Sequence, residues 1–446
     1  MSTRRPVRGV SRLLADTKEL TLPPVRIFLT LEVVYVNKFG MSGPFMKPFK
    51  GITFNASTIG DIATCVCPPY DVISDGKTYF QRNEFNAIRL ELPVQGPGLN
   101  RYDTAKETLE KWLQNGVLVQ DSRETIYIYE QEFEVDGKSF LRRGFIALNK
   151  LEESRILTHE ETRKKAKEDR EQLIKTLKTY TSHIFGLYED KEQAIEKILV
   201  NCRKEQIYDF VDEQSIKNRF YRMESGAEME KLVRAIADKN IYIADGHHRL
   251  AVSYKLGLSY IPIYLANMWS EGIVILPYHR IIKFKSPRNV GRMLNSLQAY
   301  MSVDKTSLAN NSELQVVMEA ITKSRQLSCL MYSKDDPAFL YMLKAHREIP
   351  IDESLPESLK KLKVNIIHNG VLKGLVNVQD EEISFTQETY ESIKRIKAGE
   401  ADMALFLPPT TMDEVKGIAD NGLYMPPKST FFYPKVLTGL VFYKYG

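Results

Sequence analysis

The stretch Asn240–Leu265, NIYIADGHHRLAVSYKLGLSYIPIYL, decides how the rest of the chain is read. Ile241 and Ile243 alternate and predict a short strand that breaks at Asp245-Gly246. Arg249–Leu256 carries a helical pattern, Gly257 stops it, and Ile261–Leu265 predicts a second strand. A strand, a glycine turn and a helix N-terminus together point backbone N–H groups at an anion. Three side chains able to donate, His247, His248 and Arg249, stand at that turn. The arrangement predicts a phosphate site.

Around this stretch the chain has the bulk of an ordinary folded protein. Its 446 residues suggest two or three domains at roughly 150 residues each. Hydrophobic content is 43% and charged content 27%, as in soluble globular proteins. Of the net charge of +5, residues 1–45 hold +4 (seven Lys/Arg, three Asp/Glu), leaving +1 for residues 46–446. So neutral a body argues against a dedicated nucleic-acid surface, and DNA is not an expected partner. The cysteines are Cys65, Cys67, Cys202 and Cys329, and C-x-C alone is not a usual zinc spacing. They are read as reduced thiols of a cytoplasmic protein. No apolar run approaches the roughly 20 residues that would span a bilayer. The arginine-rich leader, which also holds Asp16 and Glu19, fits neither a signal nor a transit peptide well. It is expected to be a non-core extension, or an upstream start with the protein proper beginning near Met46.

From Met46 onward, strands and helices alternate, which predicts a mixed α/β (α+β) fold. The expected division is a leader (1–45), a core holding the DGHHR loop (46–285), an α+β module (286–382) and a segment returning to the core (383–446). Asn83–Pro93 predicts a strand, Tyr102–Asn115 a helix, and Thr125–Asn149 a hairpin turning at Asp136-Gly137. Thr158 and Glu161 fit a capping box, which predicts a helix from Thr158 to about Tyr180.

Several residues on this framework could carry chemistry. Gly246 allows close backbone approach and Arg249 a bidentate grip on phosphate. Asp245 could hold a metal ion or accept a proton. Glu160 could do the same, although acidic residues in a first turn also serve the helix dipole. His159 and Lys167, eight residues apart, would share a helix face, with Asp169 and Arg170 nearby. Tyr70 and Asp71 follow two stiffening prolines. His279 and Arg280 end an apolar strand, and a proline-stiffened loop offers Lys428, Ser429, Thr430, Tyr433 and Lys435. No HExxH spacing appears, so a metal hydrolase built from His159, His247, His248 and His279 ranks last.

The strand, DGHHR, the helix with Ala251, Leu256-Gly257 and the strand IPIYL together resemble the ParB/sulfiredoxin superfamily. That resemblance implies a loop that binds nucleotide phosphates, and the superfamily includes free-serine kinases with DGHTR. Sulfiredoxin chemistry needs a cysteine where His247 stands and is disfavoured. MKPFKG, PPYDVIS, FNAIRLELP, HEETRKKAKEDR, IADGHHRLA, ILPYHRIIK and MPPKSTFFYPKVLTGL, in this order, resemble the domain-of-unknown-function family ten-fifteen, over nearly all of residues 46–446. The resemblance implies a kinase using ATP or ADP with Mg²⁺ on free L-serine or a similar hydroxylated metabolite. Asp245 or Glu160 would be the base or Mg²⁺ ligand, and His248 would assist. Gly246, His247, Arg249, Lys428 and Ser429 would hold phosphate. His159, Lys167, Arg170, His279, Arg280, Tyr70 and Asp71 are candidates for substrate binding. A ParB-like nucleotide-binding module without phosphoryl transfer is the alternative.

Overall fold

The hairpin at Asp136-Gly137 anchors the largest sheet among the described residues. Tyr127–Val135 and Lys138–Lys150 pair antiparallel, and Asp136 and Gly137 have φ of 51° and 73°, as a type I′ turn requires. The computed structural model describes residues 43–162, 164–307 and 311–445. Most of the leader expected as a non-core extension lies outside them.

From one edge, this sheet runs Ile156–Leu157, Ile241–Asp245, Ile184–Tyr188, Tyr260–Asn267, Lys138–Lys150, Tyr127–Val135, Lys217–Met223 and Lys204–Val211; Met46–Lys47 also pairs with Lys138–Lys150. Tyr260–Asn267 runs parallel to Ile184–Tyr188, and Ile241–Asp245 parallel to Ile156–Leu157. Alternation sends Tyr242, Phe185 and Tyr264 into one apolar cluster and Ile243, Ile184, Ile263 and Leu265 into another. A central strand buried on both faces reads as a continuous apolar run, which is why IYIA and IPIYL look as they do. Helices Arg101–Gln114, Lys164–Leu177, Ala194–Asn201, Ala227–Ile236 and His247–Lys255 accompany the sheet.

Two expected elements differ. Asn83–Pro93 is not a strand but a turn followed by a short helix, Ile88–Glu91. The Oδ1 atoms of Asn83 and Asn86 each accept the backbone N–H two residues on, at 2.9 Å, and this local bonding competes with strand pairing. The helix expected from Thr158 runs over Lys164–Leu177. Thr158–Thr162 is irregular, and the His159 carbonyl accepts from Met425 N–H at 2.9 Å. The chain there pairs with the C-terminal segment instead of coiling, so His159 and Lys167 share no helix face.

The second sheet is antiparallel throughout, in the order Met301–Ser307, Phe339–Ala345, Ser328–Ser333, Met403–Phe406, His279–Ile282, Ile383–Thr386. The C-terminal segment then returns to the first sheet's neighbourhood. Phe431–Tyr433 pairs with Val274–Leu276, and Thr438 bridges to Cys67. Among the described residues, no helix is long and apolar enough to cross a membrane.

Candidate functional site

Asp245 closes its strand, and Gly246 turns the chain at φ 91°, ψ 25° into the helix His247–Lys255. A Cβ at Gly246 would stand 3.0 Å from Arg249 Nη2 in a backbone conformation that L side chains rarely adopt. The helix N-terminus opens into a cavity of about 240 Å³ lined by Tyr70, Asp71, Glu160, His248, Lys428 and Lys435 among others. Residues from four distant stretches thus meet at the DGHHR turn.

Arg249 is buried and already spoken for. Its Nη2 donates to Asp245 Oδ2 at 2.8 Å, and its Nη1 to Ser182 Oγ at 2.9 Å and the His183 carbonyl at 2.7 Å. Only Nε lacks a protein partner. The guanidinium therefore braces the turn against the neighbouring strand and has no free fork for a bidentate phosphate contact. Lys435 donates to the other oxygen of Asp245.

These cations decide the protonation of the carboxylates. Burial pushes Asp245 up, but Lys435 and Arg249 outweigh it and hold the acid at about 2. Asp71 moves the other way: burial and the nearby Asp245 charge raise it, against Lys435, Arg249 and Lys428. Asp71 nevertheless keeps an exposed surface opening into the cavity, so water in the cavity softens that shift. Among the described residues, no ion pair ties Asp71 down. The two carboxylates of this cavity thus sit in opposed surroundings, Asp245 held as an anion and Asp71 pushed toward its neutral form.

Lys428 lies half-buried with Nζ 3.4 Å from Tyr278 Oη and 5.1 Å from the centre of its ring. Its φ is 54°, a left-handed conformation unusual for a non-glycine residue, and such strain gathers at functional sites. His247 and His159 meet edge to face at 4.9 Å. Burial, the leading cause, lowers them to about 4 and about 3, so both are neutral near pH 7. His159 Nε2 lies 3.1 Å from Thr430 Oγ1, and His247 Nδ1 lies 4.0 Å from Glu160. A wider cavity of about 540 Å³ shares Glu160 and His247 and adds Thr158, Leu250, Tyr254 and Tyr424.

Tyr70 is held from behind. The Arg170 guanidinium covers its ring at 4.1 Å and binds Asp169 and the Glu91 carbonyl, while Tyr70 Oη lies 3.3 Å from His248 Nδ1. Glu91 also accepts from Thr181 and Ser182, and Ser182 accepts from Arg249. Arg170 is thus a buttress behind the cavity wall.

Other expected site residues lie elsewhere. Ser429 spends its hydroxyl on the Pro426 carbonyl at 2.7 Å, and Thr430 lines the cavity instead. Lys167 is half-buried on the helix Lys164–Leu177 and is not among the lining residues. His279 and Arg280 belong to the second sheet. His279 uses both nitrogens, on Thr389 Oγ1 and Leu407 N–H. Among the described residues, no group of three or more His, Cys, Asp or Glu could hold a metal ion, and His279 lies in the second sheet, apart from the cavity-lining histidines. Tyr278 and Glu91 were not singled out in the sequence. Tyr278 stands beside the His279-Arg280 pair with no pattern of its own, and Glu91 lies in a segment whose alternation predicts a strand. Lys435 was one of five loop candidates, and its pairing with Asp245 spans 190 positions.

Fold and site together define a mixed α/β protein with a cation-lined cavity at a strand–glycine–helix turn. The family model described as "Protein of unknown function (DUF1015)" matches residues 46–365, and the chain belongs to that family. No curated protein matches the chain. Among solved structures, it is similar to a conserved hypothetical protein from Pyrococcus furiosus, at 14% identity and TM-score 0.34 over 65% of this chain and 92% of that one. It is also similar to a free serine kinase in complex with AMP, at 14% identity and TM-score 0.34 over 66% and 92%. SbnI with a C-terminal truncation, from Staphylococcus aureus, matches at 11% identity and TM-score 0.34 over 66% and 85%.

Proposed function

We propose that this chain is a nucleotide-dependent small-molecule kinase, with free L-serine or a similar hydroxylated metabolite as acceptor. The observation that carries the reading is Asp71, a carboxylate of raised pKa opening into a cavity that also holds Lys428, Lys435 and the DGHHR helix N-terminus. A kinase needs these two things side by side: a proton acceptor for the hydroxyl and a fixed positive environment for the phosphates. Asp71 takes the acceptor's hydroxyl proton while that oxygen bonds to the terminal phosphorus of ATP or ADP. The bond from phosphorus to the bridging oxygen breaks, and the shortened nucleotide leaves with the electron pair. Backbone N–H groups from Gly246 onward, with Lys428 and Lys435, hold the phosphate oxygens. Asp245, locked by two cations, positions Lys435 and is too acidic to be the base. The wider chamber offers Leu250 and Tyr254 to a nucleoside.

Mg²⁺ would partly neutralise the nucleotide phosphates. Of the two carboxylates expected to hold it, Asp245 has both oxygens committed, so Glu160 is the available one. Oxygen donors of this kind suit Mg²⁺, which takes most of its ligands from water and phosphate.

The test is phosphoserine formation from ATP and from ADP, in the parent and in Asp71→Asn. The variant should keep nucleotide binding and lose turnover by about 100- to 10,000-fold. Nucleotide binding with no transfer to serine or any hydroxylated acceptor would leave the ParB-like binding module as the function.

A further inference from the structure

Arg280 is the most conspicuous charge that the kinase reading does not use. It lies in the strand His279–Ile282 at the interior of the second sheet, and its side chain is fully buried. Nη1 donates to the Tyr278 carbonyl at 2.5 Å, but Nε and Nη2 meet no protein acceptor. No carboxylate pairs with it among the described residues. A buried cation without a counter-charge is strongly unfavourable, and folded proteins normally pair it or bind it to something.

A second buried group lies against the same aromatic ring, Phe385. The Phe385 ring lies 5.3 Å from the Arg280 guanidinium and 6.4 Å from the His368 ring. His368 is buried and its Nδ1 also lacks a protein partner. Its Nε2 is 3.9 Å from Asp380 Oδ1, beyond hydrogen-bond range. After burial, the Arg280 charge acts on this imidazole more strongly than Lys373 or Asp380 does. His368 rides on Ile366–Leu375, which is wound as a π-helix, a rare form that concentrates at functional sites.

The geometry points to a small-anion site between the strand His279–Ile282 and this π-helix, where Arg280 Nε and Nη2 and His368 Nδ1–H grip one monovalent inorganic anion of halide size. The ligand class follows from the surroundings. One positive charge asks for one negative charge, and Arg280 and His368 are too enclosed to admit an organic acid from solvent. The donors are few, and an oxyanion would bring more acceptor positions than they satisfy. Phe385 supplies an apolar wall, which a soft, weakly hydrated anion tolerates. The site lies behind the cavity wall, since Tyr278 lines the cavity and its ring is 6.5 Å from that of Phe385. It does not depend on the kinase reading.

Bromide is the probe. Crystals grown in sodium bromide should show an anomalous peak within hydrogen-bond distance of both Arg280 and His368. An ordered water there without anomalous signal would overturn the proposal. In solution, the melting temperature should rise by several degrees when bromide replaces gluconate at constant ionic strength, and His368→Leu, which removes one donor and keeps the cation, should shrink that rise. Equal melting temperatures of the parent protein in the two salts would also overturn it. Should Arg280→Gln fold, it should lose the bromide effect altogether; an undiminished effect in that variant rejects the site.

Discussion

Arg249 shows how a residue that looks like a ligand can be consumed by the fold that presents it. In the sequence it follows a glycine turn and opens a helix, where arginine commonly meets phosphate. Three of its contacts go to Asp245, Ser182 and the His183 carbonyl. Arg249→Ala should therefore act mainly on stability. Breaking a buried pair and orphaning its partners costs about 3–5 kcal/mol, read as a lowered urea midpoint with unchanged slope. A variant that unfolds like the parent but loses nucleotide affinity would instead return Arg249 to phosphate binding. Gly246 belongs to the same argument, because at φ 91° a side chain is strained and its Cβ would crowd Arg249 at 3.0 Å. Gly246→Ala should cost about 1–3 kcal/mol by the same denaturation measurement.

Elements whose periodicity is strong were legible in the sequence, and those built by side-chain bonds to backbone were not. The strand, turn and helix of DGHHR and the hairpin at Asp136-Gly137 stand where their patterns place them. The Asn83–Pro93 segment misleads because Ile88, Leu90 and Leu92 alternate like strand residues, while the asparagines that wind it carry no periodic mark. Asn86 Nδ2 donates to the carbonyls of Thr64 and Val66, and its Oδ1 accepts from Ile88. With Asn86 fully buried, Asn86→Ala should cost about 1–3 kcal/mol for the stranded backbone groups. Asn86→Asp tests the mechanism further, since it keeps the acceptor for Ile88 and loses both donations. An alanine variant as stable as the parent would show that the turn does not depend on this residue. The capping-box pattern at Thr158 fails for a related reason: the C-terminal segment, more than 250 positions away in sequence, claims the backbone at His159.

At the scale of the whole molecule, contacts far apart in sequence bring the candidate site together, and they also bury imidazoles. The turn, PPYDVIS and the C-terminal loop each announce themselves locally, but nothing local says that Lys435 meets Asp245 or that Asp71 faces them both. The same closure seals His159, His183, His247 and His279 inside the protein. Burial is the leading cause that lowers the first, second and fourth to about 3 and His247 to about 4. In an unfolded chain each would titrate near 6.5. Below that pH, unfolding takes up protons that the folded state refuses. The stabilisation these groups leave intact is therefore fully present above pH 6.5 and is lost as pH falls toward their folded values. Each histidine contributes a slope of at most about 1.4 kcal/mol per pH unit in that window, so four together should remove several kcal/mol between pH 6.5 and 4.5. Asp245, held at about 2, adds to the loss only below about pH 4. Urea unfolding at half-unit steps would trace this curve. His279→Asn, which removes one titrating group from the second sheet, should flatten the slope by roughly one proton. A stability that stays level from pH 6.5 to 4.5 would mean that these rings are charged in the folded protein or open to solvent, and that the His159–His247 pair beside the DGHHR turn is not held neutral.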